Sequence, residues 1–581
     1  MNEPIVPHGT PNLMEAFYRE RKQIFSLSPE KALNAIFESD RTGPLIRSFP
    51  EEDLYVLIKD IGPEDCLQLL SLASKSQWEY FLDMEAWQKD SIDLNRTTRW
   101  FNLLIKADPS RFIQWFFEDK TEFVEYFLFK TLDLKTREHD QDPSDFGEDY
   151  FTEDDVFYLR FLEVPVSPES GSGTRADREE FLSDFLSRLS TYDHVKYQQV
   201  MLEFTTIIPA ECEEESFRLR NVRLAEKGFL PFHEAMAVYR PLRPADFKKE
   251  PAKVMASGKD PGGLMPVPFY PVDGLKEKTL FTDSLALIRA DDVMQQVQTE
   301  FAGLCNQIIS ADQKEITGQA ALRDIVKKAC GYLSIGLERL TGCPPDDVQG
   351  IPKASGFIRK YPLSKIFRTG YGAAVELKWQ LDRWLEVCWF LEKDLPLSFW
   401  DENWTGILGG LLLKKPLFYD NYRSGSLYRE FNCLADIKET QSALDQITAL
   451  DRMFALIPSE LEAVSGKFIT FKNLTLTLWA RGHLNLGGKL APLAVKDLRR
   501  FFNSIFEPSR DGAQNRARQV KVSMKESFLA WLSGETGLKQ LEIVQAIGPS
   551  LEALFDEVEG EFGGVSNKNL DPAFIHLFLI R

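Results

Sequence analysis

The segment of the sequence best suited to chemistry is rich in tryptophan, because aromatic rings there flank several polar side chains. The tryptophans concerned are Trp379, Trp384, Trp389, Trp400 and Trp404. Such rings stack on bases and sugars, while neighbouring polar groups orient a bound molecule. We therefore predict a ligand-binding site formed by Trp400, Asp401, Glu402, Asn403 and Trp404. The alternative is a role in the core, which an apolar helical face favours: Leu377, Leu381, Trp384 and Cys388.

A glycine-rich stretch from Gly482 to Leu490 approximates a phosphate-binding loop without meeting its requirements. Lys489 comes one position late, and Leu490 stands where a Ser or Thr would bind magnesium. No β-branched strand clearly precedes the stretch, although phosphate-loop geometry depends on that context. The pattern favours an ordinary loop between helices.

No set of catalytic or metal-binding residues is recognisable in the sequence. The six histidines are scattered, and no CxxC, HxH, HExxH or G-x-S-x-G pattern occurs. The sequence therefore predicts no catalytic residue, no metal and no cofactor, and it favours a non-enzymatic role. A catalytic triad assembled in space remains an open alternative.

Two segments carry an excess of one charge. Residues 138–155 contain nine acidic side chains and no Lys or Arg, which is typical of a solvated loop. This segment lacks the pattern of a calcium hand, so a cation site is the weaker interpretation. Residues 496–525 hold the densest group of basic side chains, but interspersed acidic residues favour local ion pairing over contact with phosphate or RNA.

The composition disfavours several classes of protein. The 581 residues carry a formal net charge of −19, which opposes general binding to nucleic acid or to anionic lipid. The seven cysteines are odd in number and widely spaced, as expected for reduced thiols. No leader pattern follows Met1, and no apolar run approaches the ~20 residues that span a bilayer. We expect a cytoplasmic protein without a membrane partner and with nucleic acid an improbable ligand.

Apolar residues recur with helical spacing along most of the chain, and one set of helices repeats. Segments 51–82 and 97–128 align at an offset of 46 residues. At this offset Pro63 matches Pro109, and the Glu-Tyr-Phe-Leu sequence of 79–82 matches that of 125–128. Self-similarity at a fixed period is typical of stacked helical units. The sequence therefore predicts a 46-residue internal repeat.

The predicted fold is all-α, with an N-terminal array of short helical hairpins, right-handed and superhelix-like, and a C-terminal helical domain. Leu474–Leu478 alternates like a strand, but the apolar residues around it favour a helix. The predicted segments are a loose N-terminus (1–12), a helical-repeat domain (13–137), a middle helical region with acidic and Gly/Ser insertions (138–242), a Pro/Gly linker (243–274) and the C-terminal helical domain (275–581).

The segment Phe49–Leu70, read as FPEEDLYVLIKDIGPEDCLQLL, resembles the helical repeats in the cytosolic N-terminal domain of MgtE-type magnesium transporters. Similar repeats occur in the flagellar switch protein FliG, and the likeness covers residues 29–132. The resemblance implies an array of short helices. It does not imply magnesium transport, because no regulatory nucleotide-like domain or membrane domain is visible in the sequence.

Over its whole length the chain also resembles a family of uncharacterised bacterial proteins. Residues 220–229, 234–242 and 367–372 carry this likeness together with the segment 400–404. The resemblance implies a bacterial origin and a helical fold, and it implies no particular activity.

These patterns together favour a cytoplasmic scaffold or adaptor that binds another protein along its helical array. Stacked short helices create extended grooves that suit a protein partner, whose identity the sequence does not specify. The alternative is a small-ligand sensor or an enzyme with a pocket in the tryptophan-rich C-terminal domain. A third interpretation is RNA binding through residues 496–525.

Overall fold

The computed structural model describes residues 11–164, 175–247, 249, 251–253, 278–289, 291–343, 347, 349–457, 468–487, 490–507, 518–565 and 570–581. The predicted loose N-terminus up to residue 10, the Gly/Ser insertion at 167–174 and most of the predicted Pro/Gly linker lie outside the described residues.

The chain divides into two compact units that do not follow chain order. The first unit comprises residues 1–240, 249–333 and 341–367, and the second comprises 241–248, 334–340 and 368–581. The first unit thus includes much of the chain that follows the predicted linker. The five segments predicted from the sequence stay a prediction, because most of that linker is not described.

Helices make up most of the described chain, which confirms the predicted all-α class. In chain order they are α1 (Pro11–Phe25), α2 (Pro29–Phe37), α3 (Thr42–Ser48), α4 (Glu51–Ile61), α5 (Leu67–Leu72), α6 (Lys75–Glu85), α7 (Leu94–Ala107), α8 (Pro109–Asp119), α9 (Thr121–Thr131), α10 (Arg175–Tyr192), α11 (His194–Glu203), α12 (Pro209–Glu226), α13 (Phe232–Ala235), α14 (Pro244–Phe247), α15 (Leu280–Leu285), α16 (Asp291–Asp312), α17 (Gln319–Thr341), α18 (Gly350–Lys360), α19 (Leu363–Leu385), α20 (Trp389–Glu392), α21 (Asp401–Leu412), α22 (Leu434–Leu456), α23 (Phe471–His483), α24 (Val495–Ile505), α25 (Val522–Thr536) and α26 (Gln540–Phe562).

Short strands form three small antiparallel sheets in the described chain. The strands are β1 (Trp87–Gln88), β2 (Ser91–Ile92), β3 (Leu132–Thr136), β4 (Phe151–Thr152), β5 (Phe157–Phe161), β6 (Phe418–Tyr419) and β7 (Tyr428–Arg429). β1 pairs with β2, β6 pairs with β7, and the third sheet has the order β3-β5-β4.

Local sequence signals fix where the helices of the first unit begin and end. α4 opens with three acidic residues in its first turn, where negative charge is favourable at the positive end of the helix dipole. It ends at Gly62, whose φ of 112° lies in a region that side-chain-bearing residues rarely adopt. α6 begins with a capping box between Ser74 and Gln77, and the Asp108 side chain caps α8.

The helices α4–α6 and α7–α9 occupy matching positions in the sequence. α6 and α9 are both 11 residues long and begin 46 residues apart, at Lys75 and Thr121. Pro63 and Pro109 each open a helical segment. The internal repeat itself stays a prediction, because matching helix positions do not establish a common three-dimensional unit.

Aromatic side chains dominate the core of the first unit. Phe101 packs edge-on against Phe112 and Phe127, and Phe116 lies against Phe185 of α10 with ring centroids 4.7 Å apart. Aromatic pairs in such geometries add to the stabilisation that area burial gives. The array of α4–α9 is thereby joined to α10 through a continuous apolar core.

The sheet β3-β5-β4 occupies part of the acidic segment for which we expected a solvated loop. Leu132 pairs with Phe161 and Thr136 with Phe157, and Phe146 stacks on Tyr158 at 3.9 Å. Aromatic residues favour strands. Phe146, from between the acidic residues, is buried against Tyr158 of β5, and Phe151 of β4 is half-buried. The expectation of a loop was therefore wrong for the residues of β4.

In the second unit, the alternating Leu474–Leu478 segment lies within α23, so the predicted helix is confirmed. The two threonines that alternate with the leucines are buried, and both are hydrogen-bonded. Thr475 Oγ1 donates to the Phe471 carbonyl, and Thr477 Oγ1 accepts the Leu579 N–H. Trp479 of the same helix packs edge-on against Phe501, Phe528 and Phe555.

Across the residues that the structure describes, no helix has both the length and the apolar character needed to cross a membrane.

Candidate functional site

The predicted ligand-binding tryptophan Trp400 is a core residue of the second unit. Its side chain is fully buried, and its ring lies 5.0 Å from Phe399 and 5.6 Å from Phe390. The Trp400 indole N–H is buried and has no hydrogen-bond partner, which is unusual for an interior donor. The core interpretation of this ring therefore holds, and its unpaired N–H is the one feature that a core role leaves unexplained.

Asp401, which follows directly, is strained and participates in an ion cluster. Its φ of 69° lies in the left-handed region that favours glycine. Lys472 Nζ contacts Asp401 Oδ2 at 2.5 Å and Glu557 Oε2 at 2.6 Å. Burial alone would lower the pKa of Lys472, but the hydrogen bonds that its ammonium group donates to Asp401 and Glu557 raise it above its ordinary value.

The remaining predicted residues of this site differ in their solvent exposure. Trp404 is half-buried and stacks on Phe471 with centroids 4.7 Å apart. Glu402 and Asn403 are exposed. The structure thus brings Asp401 beside Lys472, which also contacts Glu557, and sequence reasoning missed both of these partners. Ligand binding by residues 400–404 stays a prediction.

The basic segment 496–525 mostly satisfies groups of the protein itself, over the part that is described. Arg518 donates to the carbonyls of Phe562 and Gly563, and Lys521 donates to that of Ser504. Lys525 pairs with Glu552. Of these contacts, that of Lys525 with Glu552 is an ion pair of the kind we expected, and RNA binding through this segment stays a prediction. Residues 508–517 lie outside the described residues, as do Gly488 and Lys489 of the glycine-rich stretch.

In the first unit, four carboxylates form what we call the acidic edge. Its members are Glu51, Glu52, Glu79 and Asp83. They lie on α4 and α6, in the predicted helical-repeat domain. Three cations contact this edge: Arg220 and Arg223 from the C-terminal half of α12, and Lys227, which directly follows the helix.

The strongest contact at the acidic edge is bidentate. Arg223 donates from Nε and Nη2 to the two carboxylate oxygens of Asp83, both at 2.8 Å. The Asp83 side chain is only 5% exposed, so water screens the pair weakly. Arg220 donates to the Asp83 main-chain carbonyl at 2.6 Å and lies over the Trp87 ring. Burial lowers the pKa of Arg220 to about 10.

Lys227 makes the second ionic contact at the acidic edge. Its Nζ lies 2.9 Å from Glu51 Oε2 and 3.3 Å from Glu52 Oε2, over the ring of Tyr80. Burial raises the pKa of Glu52 in spite of the ammonium group. Burial would lower the pKa of Lys227, but Glu52 and Glu51 raise it above its usual value.

The attachment of α12 is mainly polar. Leu224 is its one buried side chain, and all 18 of its residues are described. α10, which has the same length, buries Phe181, Leu182, Phe185, Leu186 and Leu189. Glu213 near the start of α12 accepts the Tyr126 hydroxyl and the Ile92 N–H, both at 2.9 Å. α12 therefore lies on the unit mainly through hydrogen bonds and ion pairs, together with the half-buried Phe217, whose ring centroid is 5.6 Å from that of Trp87. α10 is held by its apolar face.

Glu125, another carboxylate of the array, has a second acid and not a cation as its charged neighbour. Glu125 of α9 is 8% exposed, and burial raises its pKa to about 7, helped by Glu203 of α11 and by Glu122. Gln199 donates to Glu203 at 2.8 Å. Glu125 therefore keeps its proton to a much higher pH than an ordinary glutamate does.

Exposed apolar side chains of the first unit are concentrated on α11, α12 and the segment joining them. Val195 and Leu202 of α11 are exposed, as are Ile208, Leu219 and Val222. By contrast, residues 38–155, all of which are described, expose no large apolar side chain. The helical array therefore presents no apolar groove of its own, and the helices that cover its edge present apolar residues to solvent.

Sequence reasoning missed the acidic edge although a signal was present. Arg220, Arg223 and Lys227 fall at i, i+3 and i+7, which places them on one helical face. The carboxylates that they contact lie more than a hundred residues earlier, and no local pattern connects the two sets.

Other chemistry is not evident in the described part of the chain. No group of three or more His, Cys, Asp or Glu residues there could hold a metal ion. All seven cysteines are described and are free thiols.

The fold and these surfaces define a predominantly α-helical protein in which a charged helix covers the edge of a helical array. A comparison with protein families matches residues 11–581 to a family of unknown function, DUF6178. The chain belongs to this family. No curated protein and no solved structure matches the chain. The likeness of residues 29–132 to the MgtE-type repeats stays a prediction.

Proposed function

We propose that the protein is a cytoplasmic adaptor that binds another protein through α11, α12 and the array edge beneath them. The observation that carries this proposal is that α12 is held by polar contacts while its outer face exposes Leu219 and Val222. Apolar side chains in water at a weakly packed helix are typical of an interaction surface. Free thiols support a reducing compartment.

The helical-repeat character of residues 29–132 belongs to the same proposal. A repeat array is a rigid platform on which added helices present a binding surface. The earlier expectation of a groove along the array itself is replaced, since residues 38–155 expose no large apolar side chain.

Affinity capture of tagged full-length protein from its native cytosol, with cross-linking mass spectrometry, tests this function. We expect cross-links from a partner to map to residues 194–226. The variant Leu219→Asp with Val222→Asp should lose that partner. Val387→Asp in the second unit is the matched control, because Val387 is 81% exposed and lies away from α12 in sequence. Retention of the partner by the double variant would contradict the proposal.

A second candidate function is small-ligand binding at the Asp401–Lys472–Glu557 cluster. The observation in its favour is the buried Trp400 N–H without a partner beside the strained Asp401. Strain and unsatisfied donors accumulate at functional sites. Metabolites retained by purified protein should be lost in Lys472→Met and kept in Lys525→Met, whose ion pair with Glu552 is also at the surface of the second unit. Equal retention by both variants would eliminate this candidate.

A further inference from the structure

We propose that the acidic edge is a docking site for a basic amphipathic helix of a partner protein, and that α12 occupies this site in the free protein as a displaceable internal ligand. This inference rests on the proposed adaptor function, because it specifies the class of partner. It adds a regulatory consequence: the edge is closed until a competing helix takes the place of α12.

The spacing of the cations on α12 defines what the edge recognises. Residues at i, i+3 and i+7 lie on one face of a helix and span about 10 Å at ~1.5 Å per residue. Over this span the edge offers Asp83 to a guanidinium group in bidentate geometry and the Glu51–Glu52 pair to an ammonium group. A partner helix with two arginines and a lysine at the same spacing would make the same contacts.

Aromatic faces beside the carboxylates add to this recognition. Trp87 lies 5.5 Å from the Arg220 guanidinium, and Tyr80 lies 5.6 Å from the Lys227 ammonium. A cation over an aromatic ring is attracted by the negative electrostatic potential of the ring face. Carboxylates and ring faces together select a cationic peptide and repel nucleic acid, whose phosphates carry the same charge as the edge.

The weak apolar attachment of α12 makes it displaceable. With Leu224 buried and Phe217 half-buried against Trp87, α12 gives up less apolar burial than α10 would when it leaves the edge. Ion pairs that α12 loses on leaving are replaced by those of the competing helix. α10 could not be exchanged in this way, because its five buried apolar side chains would be exposed to water.

The C-terminal end of α12 is fixed, so that a displaced helix would stay tethered. Gly228 has a φ of 85° and lies so close to Gly303 of α16 that a Cβ on Gly228 would be 2.6 Å from the Gly303 Cα. Asn306 donates to the Lys227 carbonyl at 2.7 Å. A tethered occupant has an effective concentration on the order of millimolar, so a partner must bind well to compete with it.

The test uses full-length protein and a fluorescein-labelled peptide with the sequence of residues 209–228. Wild-type protein should bind the peptide poorly, because its own α12 fills the edge. The double variant Arg220→Ser with Arg223→Ser weakens the internal helix and should bind the peptide at least about tenfold more tightly, as measured by fluorescence anisotropy. Adding Asp83→Asn to this variant should abolish the gain.

Two control peptides separate recognition from general charge attraction. A peptide in which Arg218 is replaced by Ser should bind as the parent peptide does, since Arg218 faces solvent and pairs with Glu215 of α12 itself. A peptide in which Arg220 and Arg223 are replaced by Ser should not bind. If a double variant with an unchanged circular dichroism spectrum binds no better than wild type, or if Asp83→Asn has no effect, the inference is wrong.

Hydrogen exchange of wild-type protein gives a second test that needs no variant. Between about 0.01 M and about 1 M salt the screening length falls from about 30 Å to about 3 Å. Amides of α12 should exchange at least about tenfold faster at high salt, while those of α10 should not change. If the exchange of the α12 amides does not depend on salt, α12 is not displaceable and the inference is wrong.

The failure of this inference can be distinguished from the failure of the adaptor function. If the Leu219→Asp and Val222→Asp variant loses the partner but the peptide competition fails, the adaptor function stands and this inference alone is eliminated.

Discussion

The two halves of the helical array, α4–α6 and α7–α9, use the same local sequence in opposite electrostatic settings. Both contain Glu-Tyr-Phe-Leu near the middle of the third helix. Glu79 of the first half pairs with two cations: its Oε1 lies 2.6 Å from Lys120 Nζ and 3.3 Å from Arg223 Nε. Glu125, its counterpart in the second half, has the carboxylate of Glu203 as its neighbour, which contributes to a pKa of about 7.

The difference extends to the positions around that shared glutamate. The first half has acidic residues at 51, 52, 83 and 85, where the aligned positions of the second half are Thr97, Thr98, Phe129 and Thr131. The first half therefore carries the carboxylates that contact Arg223 and Lys227, whereas the four aligned positions of the second half carry no charge. The two segments share the spacing of their apolar residues. They differ in charge at other positions, so their surfaces differ.

The largest expected effect in this comparison is that of Asp83→Asn. The side-chain amide has the shape of the carboxylate but lacks the negative charge that Arg223 contacts. Its NH2 group would also face an N–H donor of Arg223 in place of an acceptor oxygen. We expect the free energy of unfolding of the first unit to fall by roughly 3 kcal/mol, as when one partner of a buried pair is removed. Urea unfolding followed by hydrogen-exchange mass spectrometry of α6 and α12 measures it.

The control for this variant is Asp184→Asn on α10. Asp184 pairs with Arg188, and both side chains are nearly half exposed. Its removal should change the free energy of unfolding by less than about 0.5 kcal/mol. Equal effects of the two variants would show that the acidic edge is an ordinary solvated surface.

Glu125→Gln should have the next largest effect, with the opposite sign. The native-state pKa of Glu125 is about 7, above its usual value, because burial and Glu203 disfavour the ionised form. The native state therefore loses stability relative to the unfolded chain as pH rises from about 4.5 to about 7. Since Glu203 is half-buried and water screens the pair, we expect Gln to stabilise the protein by about 1–2 kcal/mol at pH 8 and to have no effect near pH 4.

Urea unfolding of wild type and Glu125→Gln over this pH range measures the difference. Its control is Glu122→Gln, an exposed residue on the same helix, for which we expect a much smaller change. If the stabilisation by Glu125→Gln does not depend on pH, the pKa of Glu125 is not raised in the native state.

Glu79→Gln should be destabilising, by about 1 kcal/mol, because it removes the negative charge that Lys120 and Arg223 contact. The same substitution at the aligned residues Glu79 and Glu125 should therefore change the stability of the protein in opposite directions. Thermal unfolding of both variants at pH 8 detects it, and shifts in the same direction would show that the two environments are equivalent.

The smallest effect is expected for Arg218→Ala. Arg218 contacts Glu215 on the same helix and is 62% exposed. The free energy of unfolding should change by less than about 0.5 kcal/mol, although Arg218 lies between the stretches of α12 that contact the array. A loss comparable to that of Asp83→Asn would mean that the whole of α12, and not one face of it, is bound through charge.

The helical class and many helix limits were predictable because they depend on residues close together in the sequence. Leu54, Leu57, Ile58 and Ile61 lie on one side of α4, and Pro109 marks the start of α8. The helix at Leu474–Leu478 was predicted from the same kind of pattern. The prediction failed at β4, where the charge of the acidic run concealed the aromatic residues of a sheet.

The candidate sites were predictable only in part. Trp400 and Asp401 are notable from sequence alone, yet the cation that Asp401 contacts is Lys472, which no spacing rule singles out. The burial of Trp400 and the exposure of Asn403 are consequences of how α21 packs. Residue type indicated a possible chemistry, and packing determined which side chains could take part in it.

The sequence by itself determined the helices, their caps and the identical glutamates at 79 and 125, because these depend on contacts within a few residues. Only the tertiary structure decided that Glu79 is paired with cations and Glu125 with another acid. Arg223 lies 140 residues from Asp83 in the chain, and Lys227 lies 176 residues from Glu51. Electrostatic environment depends on distance in space, and the fold alone brings these charges together.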